Sequence, residues 1–267
     1  MIEITTNPLL FYPIITIIGL CVGSFLNVVI YRLPLMLTDE QQTKMNLCYP
    51  SSNCPHCKHP IAWHHNIPLF SYLILKGRCP YCEQPIAKTY PMVELLTVMC
   101  SCLVAWHFGF GIALLFALIF TWFLIALTVI DLQHQLLPDN LTLPLIWLGL
   151  LVNTQHIFVP LPTAVFGAIV GYSCLWLIYW LFKLATGKEG LGYGDFKLLA
   201  ALGAWVGWVQ LSLILLIASL MGALIGISLM VFYNHPRDKP IPFGPFLCLA
   251  GFICLLYGES LLSIFWS

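Results

Sequence analysis

Two aspartates could do chemistry together. "IDLQHQLLPDN" (130–140) puts Asp131 at the end of one apolar run, and "GYGDFKLLAALGAW" (192–205) puts Asp195 at the start of another. A charged side chain near bilayer depth is costly and marks function by default. Two facing carboxyls do not both ionise easily, so they share a proton. One can then take a proton from water while the other gives one to a carbonyl oxygen. Amide hydrolysis without a metal or a covalent nucleophile requires that division of labour. Plainer readings stand beside it. Asp195 suits a helix cap, and Asp131 suits an interfacial residue in water. Asp139, in "LPDN", reads as an N-cap or turn residue that supports the first motif. Gly192 and Gly194, with Gly190 before them, allow backbone conformations closed to other residues and let a substrate backbone come close. As a phosphate cradle the glycines fit poorly: no strand precedes them, and the Asp would repel an anion.

A second constellation is "CPHCKHPIAWHHNIPLFSYLILKGRCPYC" (54–82), in which two C-x2-C pairs flank 21 residues. Cys54, Cys57, Cys79 and Cys82 can place four thiolates around Zn2+ and close its coordination, as structural rather than catalytic sites do. The alternatives are two disulfides or free thiols, and a cytoplasmic loop disfavours disulfides. The nearby histidines His56, His59, His64 and His65 read as loop surface. Cys48 carries no paired spacing, and the six remaining cysteines lie in apolar runs, where Cys acts as a small hydrophobe. Glu94, just after Pro91, reads at its plainest as a first-turn acid favoured by the helix dipole.

The elements that must position these residues are membrane helices. Of 267 residues, 60% are hydrophobic and only 8% charged, with mean hydropathy +0.91; soluble domains carry about 25% charged residues. The formal net charge of zero says nothing about nucleic acid, but no basic face is present to bind it. The first ten residues contain Glu3 and no Lys or Arg, so the first apolar run reads as a retained span, not a cleaved signal. Eight runs qualify as spans: about 9–31, 92–109, 110–132, 141–156, 162–184, 196–208, 210–233 and 242–264. The sixth is short enough to be re-entrant without tertiary support. The predicted fold is an all-α polytopic membrane protein of about eight transmembrane helices with a small zinc-binding cytoplasmic subdomain. It divides as 1–31 (first span), 32–91 (zinc-binding subdomain) and 92–267 (membrane bundle). No internal repeat is apparent.

Eight spans put all eleven Lys and Arg into 32–91, 183–197 and 234–241, which then share one face. The positive-inside rule makes that face cytoplasmic and both termini external. Asp131, at the end of the third span, and Asp195, at the start of the sixth, reach the same boundary. Other peptidase chemistries are missing: there is no H-E-x-x-H and no G-x-S-x-G. Two rivals to hydrolysis remain. One is a proton-coupled membrane transporter with an Asp relay and a zinc-binding loop. The other is an assembly factor that uses the loop to bind a partner.

These motifs together resemble the type IV prepilin peptidases, or prepilin leader peptidase/N-methyltransferases, polytopic aspartic peptidases with a G-x-G-D motif. The likeness is carried by "GSFLNVVIYRLP" (23–34), the two C-x2-C pairs, "NIPLFSYLILKGRCPYC" (66–82), "YPMVELL" (90–96) and the two acidic motifs. The resemblance implies cleavage of the short basic leader from type IV prepilins and type II secretion pseudopilins at the cytoplasmic face of a bacterial inner membrane. It also implies methylation of the new N-terminal residue with S-adenosylmethionine. It puts Asp131 and Asp195 at the catalytic positions, ties the cysteine loop to methylation and makes Glu94 a candidate there. Methylation comes from the resemblance alone, because the chain has no Rossmann-type methyltransferase pattern.

Overall fold

The structure is a computed structural model that describes residues 8–38, 46–49, 51–62, 67–188, 192–233 and 241–266. The described residues form helices α1 (Pro8–Thr38), α2 (Phe70–Ile74), α3 (Thr89–Phe108), α4 (Ile112–His134), α5 (Asp139–Asn153), α6 (Leu161–Thr186), α7 (Tyr193–Val206), α8 (Leu211–Tyr233) and α9 (Gly244–Trp266). Their extended pairing is limited to two isolated β-bridges in the cysteine loop. Eight of the helices coincide with the eight expected spans. Six, α1, α3, α4, α6, α8 and α9, are long and apolar enough to cross a bilayer. The chain is a membrane protein.

The other two are α5 and α7, of 15 and 14 residues. At 1.5 Å per residue each is about 21–23 Å long, short of a hydrocarbon core of about 30 Å. For α7 the shortfall has a packing reason: every residue from Leu198 to Val206 is buried, against α5, α6 and α9. A helix enclosed by protein need not meet lipid at either end.

The chain clusters into two compact units, Met1–Leu114 and Leu115–Ser267. In the first, α1 packs on α3. A Cβ on Gly23 would stand 2.9 Å from the Glu94 Cα, and one on Gly19 would stand 3.2 Å from the Val98 Cα, so small residues set the helix approach. Asn27 donates to the Tyr90 carbonyl at 3.1 Å across the pair. The first helix continues to Thr38, past the expected end near residue 31, through Arg32 and Pro34. Arg32 is tolerated there because its guanidinium donates to the Asn46 and Leu47 carbonyls, at 2.9 and 3.3 Å.

In the second unit α7 is the hub. Gly167 and Gly171 of α6 let α7 approach until a Cβ on either would strike the backbone of Gly203 or Leu199. α6 carries the G-x-x-x-G spacing that permits such contact, and Gly203 with Gly207, the cap residue just after α7, repeats it. Asn153 closes the far end of α7: its amide donates to the Ala204 and Trp205 carbonyls, while its oxygen accepts from Phe158 and Val159 N–H. The Trp205 indole donates to the Leu145 carbonyl at 2.8 Å. These bonds fix α7 along its axis and so fix the residues at its start.

Candidate active site

Asp195 is in the first turn of α7, and its Oδ2 accepts from Gly192 N–H at 3.2 Å. That is the acidic half of a capping box, so the capping reading holds. It does not compete with a second role, because the carboxyl has another oxygen. Asp131 is on the last turn of α4, one turn before the helix ends through the left-handed Gln135. Its Oδ2 accepts from Gly244 N–H at 3.1 Å. Both aspartates are buried. They lie near enough for the charge of one to act on the other, and Cys248 is within electrostatic reach of both. The two acidic motifs therefore converge, although 64 residues of chain separate them.

Leu137 is the spacer between the motifs. A Cβ on Gly194 would fall 2.6 Å from the Leu137 Cβ, and one on Gly244 would fall 3.2 Å from its Cδ1. The glycines' task differs from the expected one. Gly192 has φ −81° and ψ 147°, a conformation open to any residue, and Gly194 has no positive φ. Gly194 is needed for room against Leu137, not for backbone freedom. Gly190 lies outside the described residues.

Two further residues went unnoticed in the sequence. Lys197 donates to both oxygens of Asp139, at 2.6 and 2.8 Å. Asp139 is the first residue of α5, with Pro138 in the cap position, so the pair ties the two motifs together at their exposed edge. An exposed ion pair contributes only about 0–1 kcal/mol; its worth here is geometric. Gly244 is the other. "IPFGPF" (241–246) reads as a helix start, with Pro just inside it, but the residue acts through its backbone N–H and so offers no side-chain signal.

The first unit holds the cysteine cluster. The sulfurs of Cys54, Cys57, Cys79 and Cys82 all lie within 4.8 Å of one another, with Cys54 and Cys82 3.8 Å apart. Bonds of about 2.3 Å to a tetrahedral Zn2+ put sulfurs about 3.8 Å from each other, so the set is shaped to hold such an ion. The two knuckles are copies, contrary to the expectation of no internal repeat. "CPHCKHPIA" (54–62) and "CPYCEQPIA" (79–87) share six of nine residues. Cys54 N–H donates to the His59 carbonyl as Cys79 N–H does to that of Gln84. Lys58 and Glu83, both at φ 58°, occupy the same place in each turn. The repeat is short and its variable positions are polar, which hid it.

Tyr81 and Cys82 N–H groups pull the Cys79 thiol down to about 7. Cys82 is pushed up to about 12: the Gln84 N–H favours its thiolate, but desolvation and the neighbouring sulfurs outweigh it. Four thiolates this close repel, and a divalent cation is what lets all of them ionise. His59 stacks on Tyr81 of the other knuckle, with ring centroids 3.6 Å apart, and His64 and His65 lie outside the described residues. Glu94 is buried in the same unit, where its Oε2 accepts from Leu69 N–H at 2.8 Å. Leu69 has a positive φ of 58° with ψ −48°; the carboxylate steadies that turn.

Residues 17–108 match the profile of the bacterial peptidase A24 N-terminal domain, and residues 118–227 match that of the type IV leader peptidase family. A prepilin leader peptidase/N-methyltransferase of Aeromonas salmonicida is 52% identical over 95% of this chain and 93% of its own length. Proteins of the same name from Pseudomonas aeruginosa and Legionella pneumophila are 49% and 47% identical, each over 97% of this chain and over 94% and 96% of their own. No solved structure matches the chain.

Proposed function

From the premise that this chain belongs to the type IV leader peptidase family, we propose that it is an aspartic endopeptidase acting through Asp131 and Asp195. Its substrates would be type IV prepilins or type II secretion pseudopilins, whose basic leader it removes before methylating the new N-terminal amine with S-adenosylmethionine. The observation that carries the reading is the convergence of two buried carboxyls from α4 and α7. Backbone N–H groups occupy Oδ2 of each, which leaves Oδ1 of each for water and substrate. One carboxylate takes a proton as the water oxygen bonds the scissile carbonyl carbon, and the other protonates the carbonyl oxygen. Collapse of the tetrahedral adduct breaks the C–N bond and passes a proton to the departing amine. Gly192, Gly194 and Asp139 support the motifs.

The relatives' shared name supports the methyl-transfer half. The donor supplies a methyl group as a sulfonium when bound. Glu94 stays the candidate residue there, acting by anchoring the Leu69 turn. Cys54, Cys57, Cys79 and Cys82 would hold a structural Zn2+ that folds the 32–91 subdomain, and residues 92–267 would form the peptidase bundle. The family resemblance implies a bacterial inner membrane, and the distribution of Lys and Arg favours a topology with the zinc loop and both aspartates cytoplasmic and both termini periplasmic.

The deciding experiment incubates purified protein in detergent with a prepilin, with and without S-adenosylmethionine, and weighs the product. Loss of the leader in both arms and a further 14 Da (about, one methyl replacing hydrogen) only with the donor are expected; an uncut precursor rejects the reading. The transporter alternative has no account of a cut product.

A variant at Gly244 tests the support of Asp131. An Ala Cβ there would fall 2.5 Å from the Asp131 Oδ2 and force the carboxyl aside. A displacement of about 1 Å can cost about 10²-fold in rate. Gly244→Ala is therefore expected to lose about that factor in cleavage turnover, while zinc content and methylation of pre-cut pilin stay unchanged.

A further inference from the structure

The cysteine loop is built inside out. Among its described residues, 46–88, only Cys54, Ser71, Gly77 and Cys79 are buried. Its short helix α2 turns Ser71 inward, where Oγ accepts from Ile67 N–H at 3.0 Å. The same helix turns its large apolar side chains outward: Phe70, Leu73 and Ile74 are 61%, 71% and 76% exposed. Ile67, one turn earlier, is 43% exposed. Single exposed hydrophobes need no explanation, but a contiguous set on one helical turn marks a surface that meets something apolar.

Charge identifies what covers it. Lys58, Lys76, Arg78 and Lys88 are all exposed in the described loop, and Glu83 is its one carboxylate. The loop is net cationic, in a chain whose net charge is zero. It is also held at the membrane by both ends: it follows the spanning helix α1, and Lys88 is directly joined to Thr89, the first residue of the spanning helix α3. The apolar phase nearest to α2 is therefore the bilayer that this unit itself crosses. An apolar wedge flanked by cations, lying at the boundary of an anionic leaflet, is the arrangement of an in-plane membrane anchor.

We propose that α2 is such an anchor. Phe70, Leu73 and Ile74 enter the boundary between headgroups and acyl chains, and Lys76, Arg78 and Lys88 pair with anionic phospholipid headgroups. The anchor fixes the metal subdomain at the membrane surface, in addition to the Arg32 and Glu94 hydrogen bonds that tie the loop to α1 and α3. It is independent of which aspartate does what in the peptidase.

The test uses the full-length, zinc-loaded protein in nanodiscs, with p-benzoylphenylalanine replacing Phe70, a near-isosteric change. One set of discs contains phosphatidylglycerol with phosphatidylethanolamine and the other phosphatidylcholine alone. After irradiation, peptides covering residue 70 are expected to carry a single phospholipid mass, several-fold more often in the anionic discs. The same probe at Gln84, exposed on the second knuckle, serves as the control and is expected to carry none. The triple variant Lys76→Gln, Arg78→Gln, Lys88→Gln is expected to remove the preference for anionic discs while retaining zinc. Absence of lipid adducts at residue 70, or adducts to a second copy of the chain or to added prepilin in their place, would overturn the proposal. Lipid labelling that is equal in the two compositions overturns the headgroup pairing.

Discussion

Asp131→Asn and Asp195→Asn are each expected to lose prepilin cleavage by about 10³-fold or more, with the protein still folded. A positioned general acid or base contributes about 10²–10⁴-fold, and in a dyad either member's loss removes the shared proton as well. The fold should survive because Asn keeps the shape and retains an oxygen to accept the Gly192 or Gly244 N–H bond. The two sites lie on different helices, and among the described residues neither carboxyl is in an ion pair, in contrast to Asp139, whose carboxylate is paired with Lys197. The measurement is a time course of product mass at saturating prepilin, with methylation of an already cut pilin as the internal control. Loss of cleavage with methylation intact confirms a chemical role. Loss of both points to unfolding, and normal cleavage by either variant removes the dyad. Because one carboxyl must be protonated and the other ionised, the wild-type rate should also fall at both ends of its pH range. Each variant should flatten whatever activity remains.

What the sequence allowed and what it withheld divide along physical lines. Long apolar runs disclose helices because nothing else shields so many carbonyl and N–H groups in lipid, so all eight apolar helices could be read, six of them long enough to span. Their ends were less visible. Arg32 and Pro34 argue against a helix, yet α1 continues through them, with carbonyls from 46 and 47 receiving the guanidinium, a contact no local pattern encodes. The aspartates were legible as candidates because an acid in an apolar chain is conspicuous, and both are buried. Their partners were not: Gly244 acts by an N–H that every residue but proline owns, and Lys197 meets Asp139 across 58 residues. The glycines of the second motif were seen, but Gly194 is required by the bulk of Leu137 opposite and not by a positive φ, which only packing reveals. The cysteine spacing was informative because a tetrahedral site constrains both spacing and residue type.

Removing the metal has the second large consequence. A folded subdomain ordinarily buries an apolar core, and the described part of this one has none; two of its four buried residues are knuckle cysteines. Apparent binding free energies for structural Zn2+ are about 10–16 kcal/mol at neutral pH, and here that would be most of what holds residues 46–88 together. Cys79→Ser is therefore expected to take bound zinc from about one per chain to none, by elemental analysis. Limited proteolysis should then cut the loop while sparing the helices, and methylation should be lost. Cleavage should fall far less, since Asp131, Asp195, Gly244 and Leu137 all belong to the second compact unit. A chelator acting on the wild type should reproduce the result, and zinc, but not magnesium, should reverse it, because thiolates prefer the softer ion. If the loop of Cys79→Ser stays protease-resistant, or the isolated protein carries no zinc, the four sulfurs are packed together for some other purpose. If cleavage and methylation fail together at every level of zinc depletion, the metal supports the whole enzyme, and the division of labour between its two units falls.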